Sequence, residues 1–379
     1  MNIVIHDLSE TEWEKISDKY EGWKVISDNG TIKPCVGCFG CWVKTPGRCV
    51  IKDGYEGMGV LLSKAKDVVI ISKYTFGGFS SFVKNVIDRS ISYVLPFFMV
   101  VKDETHHKAR YKDAHFSLTV HFYGEEITEE DKSDTRRYLE AVCLNLHAKL
   151  KEVDFKSKEK ETTISEADEM GKGIVLLNCS LKGDAANSKI FLDKLSENID
   201  EKTESYNLLQ YVNDQDKLID LLKRAGTIVF GMPLYVDGIP SAAIRIMEEL
   251  NRYNQGGKKK IYVVANMGFF ESKQICNLMG MMKKWCKSMG YDYCGGLAIG
   301  AGKMVGSLSC QSSLDKVPIK NTSKAILKMA DYIKKGKPIE DIYSNPYKFL
   351  RLIYLHTINR IWVRQVKANG LTKKDLYKQ

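Results

Sequence analysis

The sequence predicts an α/β protein made of two tandem doubly wound parallel sheets with a C-terminal helical tail. Three observations carry this. Short continuous apolar runs, such as residues 68–71 and 174–177, alternate with amphipathic segments, as strands buried on both faces by crossover helices require. The alternation runs through twice, and residues 67–81 can be laid on 226–241 to within a residue or so, which suggests a tandem repeat. At 379 residues, with 44% hydrophobic and 27% charged, the chain has the length of two domains and the apolar material for ordinary cores.

In the first half, strands are expected at 2–5 and 23–26, then a Cys-rich loop, a helix at 54–64 and the strand 68–71. A helix at 80–94, a strand at 116–120, a long helix at 128–151 and a short strand at 153–155 complete a domain over 1–155. Residues 156–172 are polar with no apolar stripe and read as a linker. The second domain, 173–318, repeats the plan. Strands are expected at 174–177, 206–209, 228–230, 261–265 and 297–299, with helices from Asn187, from Gln215, from Pro240 and through Trp285. Residues 319–379 are expected to form a basic helical extension.

The net charge of +10 belongs to that extension, where fourteen Lys and Arg face four Asp and Glu, while residues 1–318 are neutral overall. A nucleic-acid binder would carry its basic stripe on the folded body, so no nucleic-acid partner is expected. No apolar run approaches the length of a membrane span, because the longest, 93–101, is interrupted by Pro96 and stopped by Lys102. The N-terminus runs directly into a strand pattern without a basic leader, and a cytoplasmic location is expected.

After residues 174–177 comes Asn178-Cys-Ser-Leu-Lys-Gly-Asp-Ala-Ala-Asn187-Ser188 and then an apolar helix face at Ile190, Phe191 and Leu195. A strand, a small-residue loop and a helix N-terminus can surround a phosphate with hydroxyls, an amide and free backbone N–H groups. Neither the Walker pattern nor the dinucleotide fingerprint is present, and an ordinary N-capped helix is the plainer alternative. Two further loops, Gly231-Met-Pro233-Leu234-Tyr235-Val236-Asp-Gly-Ile-Pro240 and Asn266-Met267-Gly268-Phe269-Phe-Glu271, leave the third and fourth strands. In a doubly wound sheet these loops meet at the topological switch point.

These residues resemble the NADPH-dependent FMN reductase family of the flavodoxin-like fold, over essentially 173–304. The resemblance implies that Ser180, Asn187 and Ser188 hold the FMN phosphate, that Pro233, Leu234, Tyr235 and Val236 run along one side of the flavin, and that Asn266, Met267, Gly268 and Phe269 meet its ring. Leu181-Lys182-Gly183-Asp184 departs from the family's commoner Pro-Arg type of turn.

In the first half, Cys35-Val-Gly-Cys38-Phe-Gly-Cys41-Trp42 is followed by Cys49. Four cysteines within fifteen positions point to metal or redox chemistry in a reducing compartment. A cubane cluster, free or redox-active thiols and zinc all remain open, zinc more often using two separated pairs. The segment resembles the cysteine motif of iron-sulfur flavoproteins, with a longer gap before Cys49. That resemblance implies a four-iron four-sulfur cluster on Cys35, Cys38, Cys41 and Cys49. Domain one has Asp7, Glu10 and Glu12 where a phosphate loop would stand, so it is expected to be degenerate as an FMN site. His106 and His107 read as part of a polar surface loop in preference to a place near the NADPH ribose phosphate or over the flavin, and His121 as a structural histidine in preference to one facing the crevice of domain one. The apolar stripe Phe349, Leu350, Ile353, Tyr354, Ile358, Ile361 and Trp362 is assigned to packing across the domains or a homodimer interface in preference to a membrane surface.

The expected function is therefore an FMN-dependent NAD(P)H oxidoreductase passing electrons to a quinone-like, nitroaromatic or protein acceptor. No side chain is singled out as catalytic, because the cofactor carries the chemistry. A flavodoxin-like electron carrier that does not use NAD(P)H is the alternative, and a binding protein for another phosphorylated ligand is a third.

Overall fold

The apolar runs become strands of two all-parallel sheets. The computed structural model describes residues 1–124, 127–157, 171–252, 258–309 and 318–378. The chain divides into two units, one of residues 1–101, 106–162 and 357–379 and the other of 102–105 and 163–356.

The first unit contains β1 (Asn2–His6), α1 (Glu10–Glu14), β2 (Lys24–Ser27), α2 (Gly40–Val43), α3 (Met58–Ser63), β3 (Asp67–Lys73) and α4 (Ser81–Arg89). β4 (Val94–Val101), β5 (Glu104–Ala109), β6 (Ser117–Gly124), α5 (Glu129–Asn145) and β7 (Lys149–Ser157) follow. Its sheet has the order β2-β1-β3-β6-β7, parallel throughout. The interior strand β1 places Ile3, Val4 and Ile5 wholly out of solvent, which is why its pattern is continuous and not alternating. Helix starts follow local chemistry. The Ser80 hydroxyl accepts the Val83 N–H at the head of α4, and Thr128 forms a capping box with Asp131 at the head of α5.

The second unit contains β8 (Ile174–Asn178), α6 (Asn187–Ser196), β9 (Thr203–Asn207), α7 (Gln215–Arg224), β10 (Thr227–Pro233), α8 (Ser241–Arg252), β11 (Lys260–Asn266) and α9 (Cys276–Met289). β12 (Asp292–Ile299), α10 (Gly302–Ser309), α11 (Lys320–Lys334) and β13 (Ile342–Ser344) follow, and α12 (Arg351–Ala368) has its first residues in this unit and those from 357 in the first. The sheet order is β9-β8-β10-β11-β12-β13, again parallel. Counted along each sheet, both units have the strand order 2-1-3-4-5 of the flavodoxin-like fold, the second with one strand added at its edge.

Hydrogen bonds at the strand ends repeat between the units. Asp7 N–H donates to Ile71 O at 3.3 Å, and Cys179 N–H to Gly231 O at 2.8 Å. Tyr74 N–H donates to Tyr123 O at 2.7 Å, and Leu234 N–H to Asn266 O at 2.8 Å. Thr75 and Gly78 exchange bonds across a turn with Phe76 and Gly77 at positive φ, as Tyr235 and Gly238 do around Val236 and Asp237. The backbone that frames one crevice is thus present twice.

Several boundaries differ from expectation. The expected helix 80–94 stops at Arg89, and Val94 begins β4, which pairs with β5 across Lys102 and Asp103. Both turn residues have positive φ, 48° and 65°, the demand of a tight type I′ hairpin. The surface-loop reading of His106 and His107 is therefore corrected. His106 is 3% exposed and its Nδ1 lies 2.8 Å from Asn145 Oδ1. The His107 ring packs against Trp42 and Phe98.

Residues 319–379 do not form one extension. Ile319, Ile326, Met329 and Ile333 of the α11 region enter the core of the second unit with Phe191, Leu192 and Leu195, and β13 extends its sheet. On α12, Tyr354, Ile358, Trp362 and Val366 recur every fourth residue and are buried, whereas Ile353 on the helix and Phe349 just before it are 62% and 70% exposed. In the first unit, Trp362 meets Phe39 and Trp42 edge-on, and Asn359 Oδ1 accepts the Phe98 N–H at 2.9 Å. Of the linker expected at 156–172, residues 158–170 lie outside the described residues. No described helix is long and apolar enough to cross a membrane.

Candidate functional site

In the second unit β8, β10 and β11 are neighbours in register, Asn178 opposite Gly231 and Pro233 opposite Asn266. Their carboxyl ends, and the three loops that leave them, therefore share one end of the sheet. The hub is Asn178, a residue the sequence reading did not single out. Wholly buried, it donates from Nδ2 to Gly183 O at 3.0 Å and to Asn207 Oδ1 at 2.8 Å. Its Oδ1 accepts the Ser180 N–H at 3.2 Å and the Ser188 hydroxyl at 2.7 Å. One amide thus ties both ends of the loop together. Only its place as the last polar residue of an apolar strand could have flagged it.

The expected phosphate ligands fall on this loop in different roles. Ser180 and Ser188 are 3% and 1% exposed, Ser188 gives its hydroxyl to Asn178, and Ser180 Oγ accepts the Lys182 N–H at 3.4 Å. They form the wall of the loop. Asn187 is half-buried at the first position of α6, and a Cβ on Gly306 would stand 2.6 Å from its Oδ1, so a glycine lets α10 approach it. α6 itself begins after Ala186 with no side-chain cap. Alanine is among the poorest N-cap residues, and a helix start of this kind leaves N–H groups and the positive end of the dipole for a ligand to satisfy.

Pro233, Leu234, Tyr235 and Val236 are each half-buried along the second loop, while Asp237 and Ile239 close its base. In the third loop Asn266 and Met267 are buried, Gly268 is exposed and Phe269 half-buried. Asn266 Nδ2 donates to Met232 O at 3.2 Å, and this joins the second and third loops. Cys179 is buried, and burial pushes its thiol far above the ordinary range, so it stays protonated at neutral pH.

The corresponding place in the first unit is closed by its own side chains. Ser9 N–H and Ser9 Oγ donate to Glu12 Oε2 at 3.0 and 2.7 Å in a capping box. Both Asp7 carboxylate oxygens accept the Lys73 N–H, at 3.0 and 3.1 Å, and Asp7 Oδ1 accepts the Tyr123 hydroxyl at 3.0 Å. Burial raises the Asp7 carboxyl despite these donors. Carboxylates stand where a phosphate would have to enter.

Cys35, Cys38, Cys41 and Cys49 lie within one fifteen-residue stretch of the first unit, Cys41 on α2; Cys41 and Cys49 are buried, Cys35 half-buried and Cys38 exposed. Gly40 N–H points at Cys38 Sγ at 3.3 Å, and a Cβ on Gly40 would meet Val50 Cγ1 at 2.6 Å. Burial, with added repulsion from Asp88 and the neighbouring thiolates, pushes Cys35 up to about 12. Burial and the other three thiolates push Cys41 well above its ordinary value. The ends of the segment are held by Arg89, 2% exposed, whose guanidinium is bidentate to Asp53 at 2.7 and 2.9 Å and reaches Lys33 O at 2.7 Å. Among the described residues, no three His, Cys, Asp or Glu side chains stand where one metal ion could be held.

No protein-family model matches the chain and no curated protein does. Solved structures that resemble it include the Trp repressor binding protein from Bacillus subtilis, 15% identical, matched over 37% of this chain and 98% of that one with a TM-score of 0.29. An FMN-dependent NADH-azoreductase from Bacillus anthracis in complex with FMN is 15% identical over 43% of this chain and 100% of that one, TM-score 0.31. RosB with bound 8-demethyl-8-formylriboflavin-5'-phosphate is 13% identical over 53% of this chain and 85% of that one, TM-score 0.33.

Proposed function

We propose that the protein is an FMN-dependent oxidoreductase whose second unit binds the cofactor and which takes reducing equivalents from NAD(P)H in the cytoplasm. The observation that carries this is the uncapped start of α6 at the switch point of a 2-1-3-4-5 sheet, where flavodoxin-like proteins bind FMN. An N-terminus with N–H groups turned outward suits a phosphate dianion. Ser180, Asn187 and Ser188 would shape that pocket, Asn178 would hold its geometry, Pro233 to Val236 would flank the ring, and Asn266 to Phe269 would meet its edge. Bound FMN supplies the electron-transfer chemistry that no side chain of this site carries.

Cys35, Cys38, Cys41 and Cys49 are our candidate ligands for an iron-sulfur cluster. Four thiols within fifteen residues, a backbone N–H directed at a sulfur and a buried Arg89 bracing the ends of the segment are the parts such a centre uses. The acceptor would be a quinone-like or nitroaromatic molecule or a redox protein, and a homodimer remains part of the proposal.

The test is the visible spectrum, with iron and acid-labile sulfide analysis, of protein purified without oxygen. A flavin spectrum bleached rapidly by NADPH in stopped flow is the expected result. Flavin that NADPH leaves oxidised would convert the reading to an electron carrier, and colourless protein that takes up no FMN would overturn it. Iron and sulfide near four per chain would support the cluster, and neither metal nor sulfide would leave the cysteines as thiols.

A further inference from the structure

We propose that Tyr354, supported by Arg351, is a positioning residue for the flavin-facing loop 266–272; the proposal rests on the FMN reading of the second unit. Three successive carbonyls of that loop are turned into the protein. Met267 O accepts the Gly302 N–H at 2.7 Å, Gly268 O accepts the Tyr354 hydroxyl at 2.5 Å and Phe269 O accepts the Ala301 N–H at 2.6 Å. The outer two bonds come from backbone in the turn between β12 and α10, so they persist whatever side chains stand there. The middle one hangs on a single hydroxyl.

A trans peptide points its C=O and N–H in opposite directions, so the Tyr354 bond to Gly268 O also fixes the direction of the Phe269 N–H. Donors held in place beside a cofactor ring set the potential at which the ring takes up electrons, because they need no reorganisation as charge develops. Tyr354 does not act alone. Its ring lies 5.9 Å from that of Phe270, Arg351 Nε stands 2.7 Å from Glu271 Oε1, and Asn345 Oδ1 accepts the Ser272 N–H at 2.6 Å. A Cβ on Gly300 would lie 2.1 Å from Phe270 O, so the base of the loop is closed by backbone. Residues 345–354 therefore brace the loop at four of its residues, Gly268, Phe270, Glu271 and Ser272, and they lie outside the stretch that carries the phosphate and ring loops.

The experiment compares Tyr354→Phe with wild type for FMN and riboflavin affinity, the midpoint potential of bound FMN, and amide hydrogen exchange of residues 266–272 in flavin-free protein. Loss of one buried hydrogen bond predicts about a tenfold weaker affinity. Riboflavin has no phosphate, so an equal factor for both flavins places the loss at the ring. A lower midpoint potential and faster exchange in the loop are also expected, and Arg351→Gln should accelerate exchange in the same residues. A purely structural role would lower thermal stability and leave the potential where it was. Unchanged affinity and potential in the variant, or a loss for FMN but not riboflavin, overturns the proposal alone. Wild-type protein that takes up neither flavin overturns the flavin reading, and this role with it.

Discussion

His6 ends β1, an interior strand of the first sheet, with its ring stacked on Trp13 at 4.0 Å, 2% exposed, and neither ring nitrogen bonded. Burial lowers its pKa to about 4, and lowers that of His107 to about 3. Between pH 6.5 and 4 the unfolded chain therefore holds a proton that folded His6 does not, so stability falls as pH falls through that window, by at most about 3 kcal/mol. Acid titrations of urea midpoints should show this slope, and His6→Phe, which keeps the stacking, should flatten it. Asp53 adds a second acid-sensitive contact. Burial alone would raise its carboxyl, but the Arg89 hydrogen bonds and charge bring it below its ordinary value. That contribution is present above the usual carboxylate pKa and disappears as pH falls through the folded one. Asp53→Ala leaves a buried guanidinium unpaired and should cost about 3–5 kcal/mol in denaturant unfolding. None of these roles was legible in the sequence. Asp53 and Arg89 are 36 positions apart, and His6 is a polar residue in an apolar strand whose burial depends on where Trp13 folds back.

At the scale of elements, the parallel strands and the two repeats were legible because burial on both faces leaves a continuous apolar signature. The β4–β5 hairpin was not, for its turn is Lys102-Asp103 where the usual signal is a glycine or asparagine, and Pro96 sits inside its first strand. The packing of α11 was obscured by lysines on its outer face, which made a core helix look like part of a charged tail. The start of α6 makes a prediction in which stability and binding move in opposite directions. Ala186→Asp supplies the missing cap and should stabilise the helix by about 1 kcal/mol. The same carboxylate stands at the anion position, so FMN affinity should drop by about tenfold or more. Thermal melting and flavin fluorescence titration on one preparation check both directions, and a variant that binds FMN as tightly as wild type would refute the phosphate position.

At the scale of the molecule, the last residues serve the first unit. Arg110 donates to the Leu376 and Lys378 carbonyls, Trp362 packs on Phe39 and Trp42, and Asn359 holds the Phe98 N–H. Ending the chain after His356 should therefore accelerate amide exchange in residues 35–49 and 94–101 and leave β11 unchanged. Equal protection with and without the last residues would show that these contacts carry no stability. The loops after β8, β10 and β11 could be placed at one end of the sheet from the sequence because they interrupt strands at corresponding points of the two repeats. What could not be read there is that Glu12 caps its own helix in the first unit. On the proposed flavin reading, that internal carboxylate leaves one crevice per chain for a phosphate. Calorimetric titration of the whole chain with FMN should reach equivalence at one molecule per polypeptide, although its backbone frames two crevices.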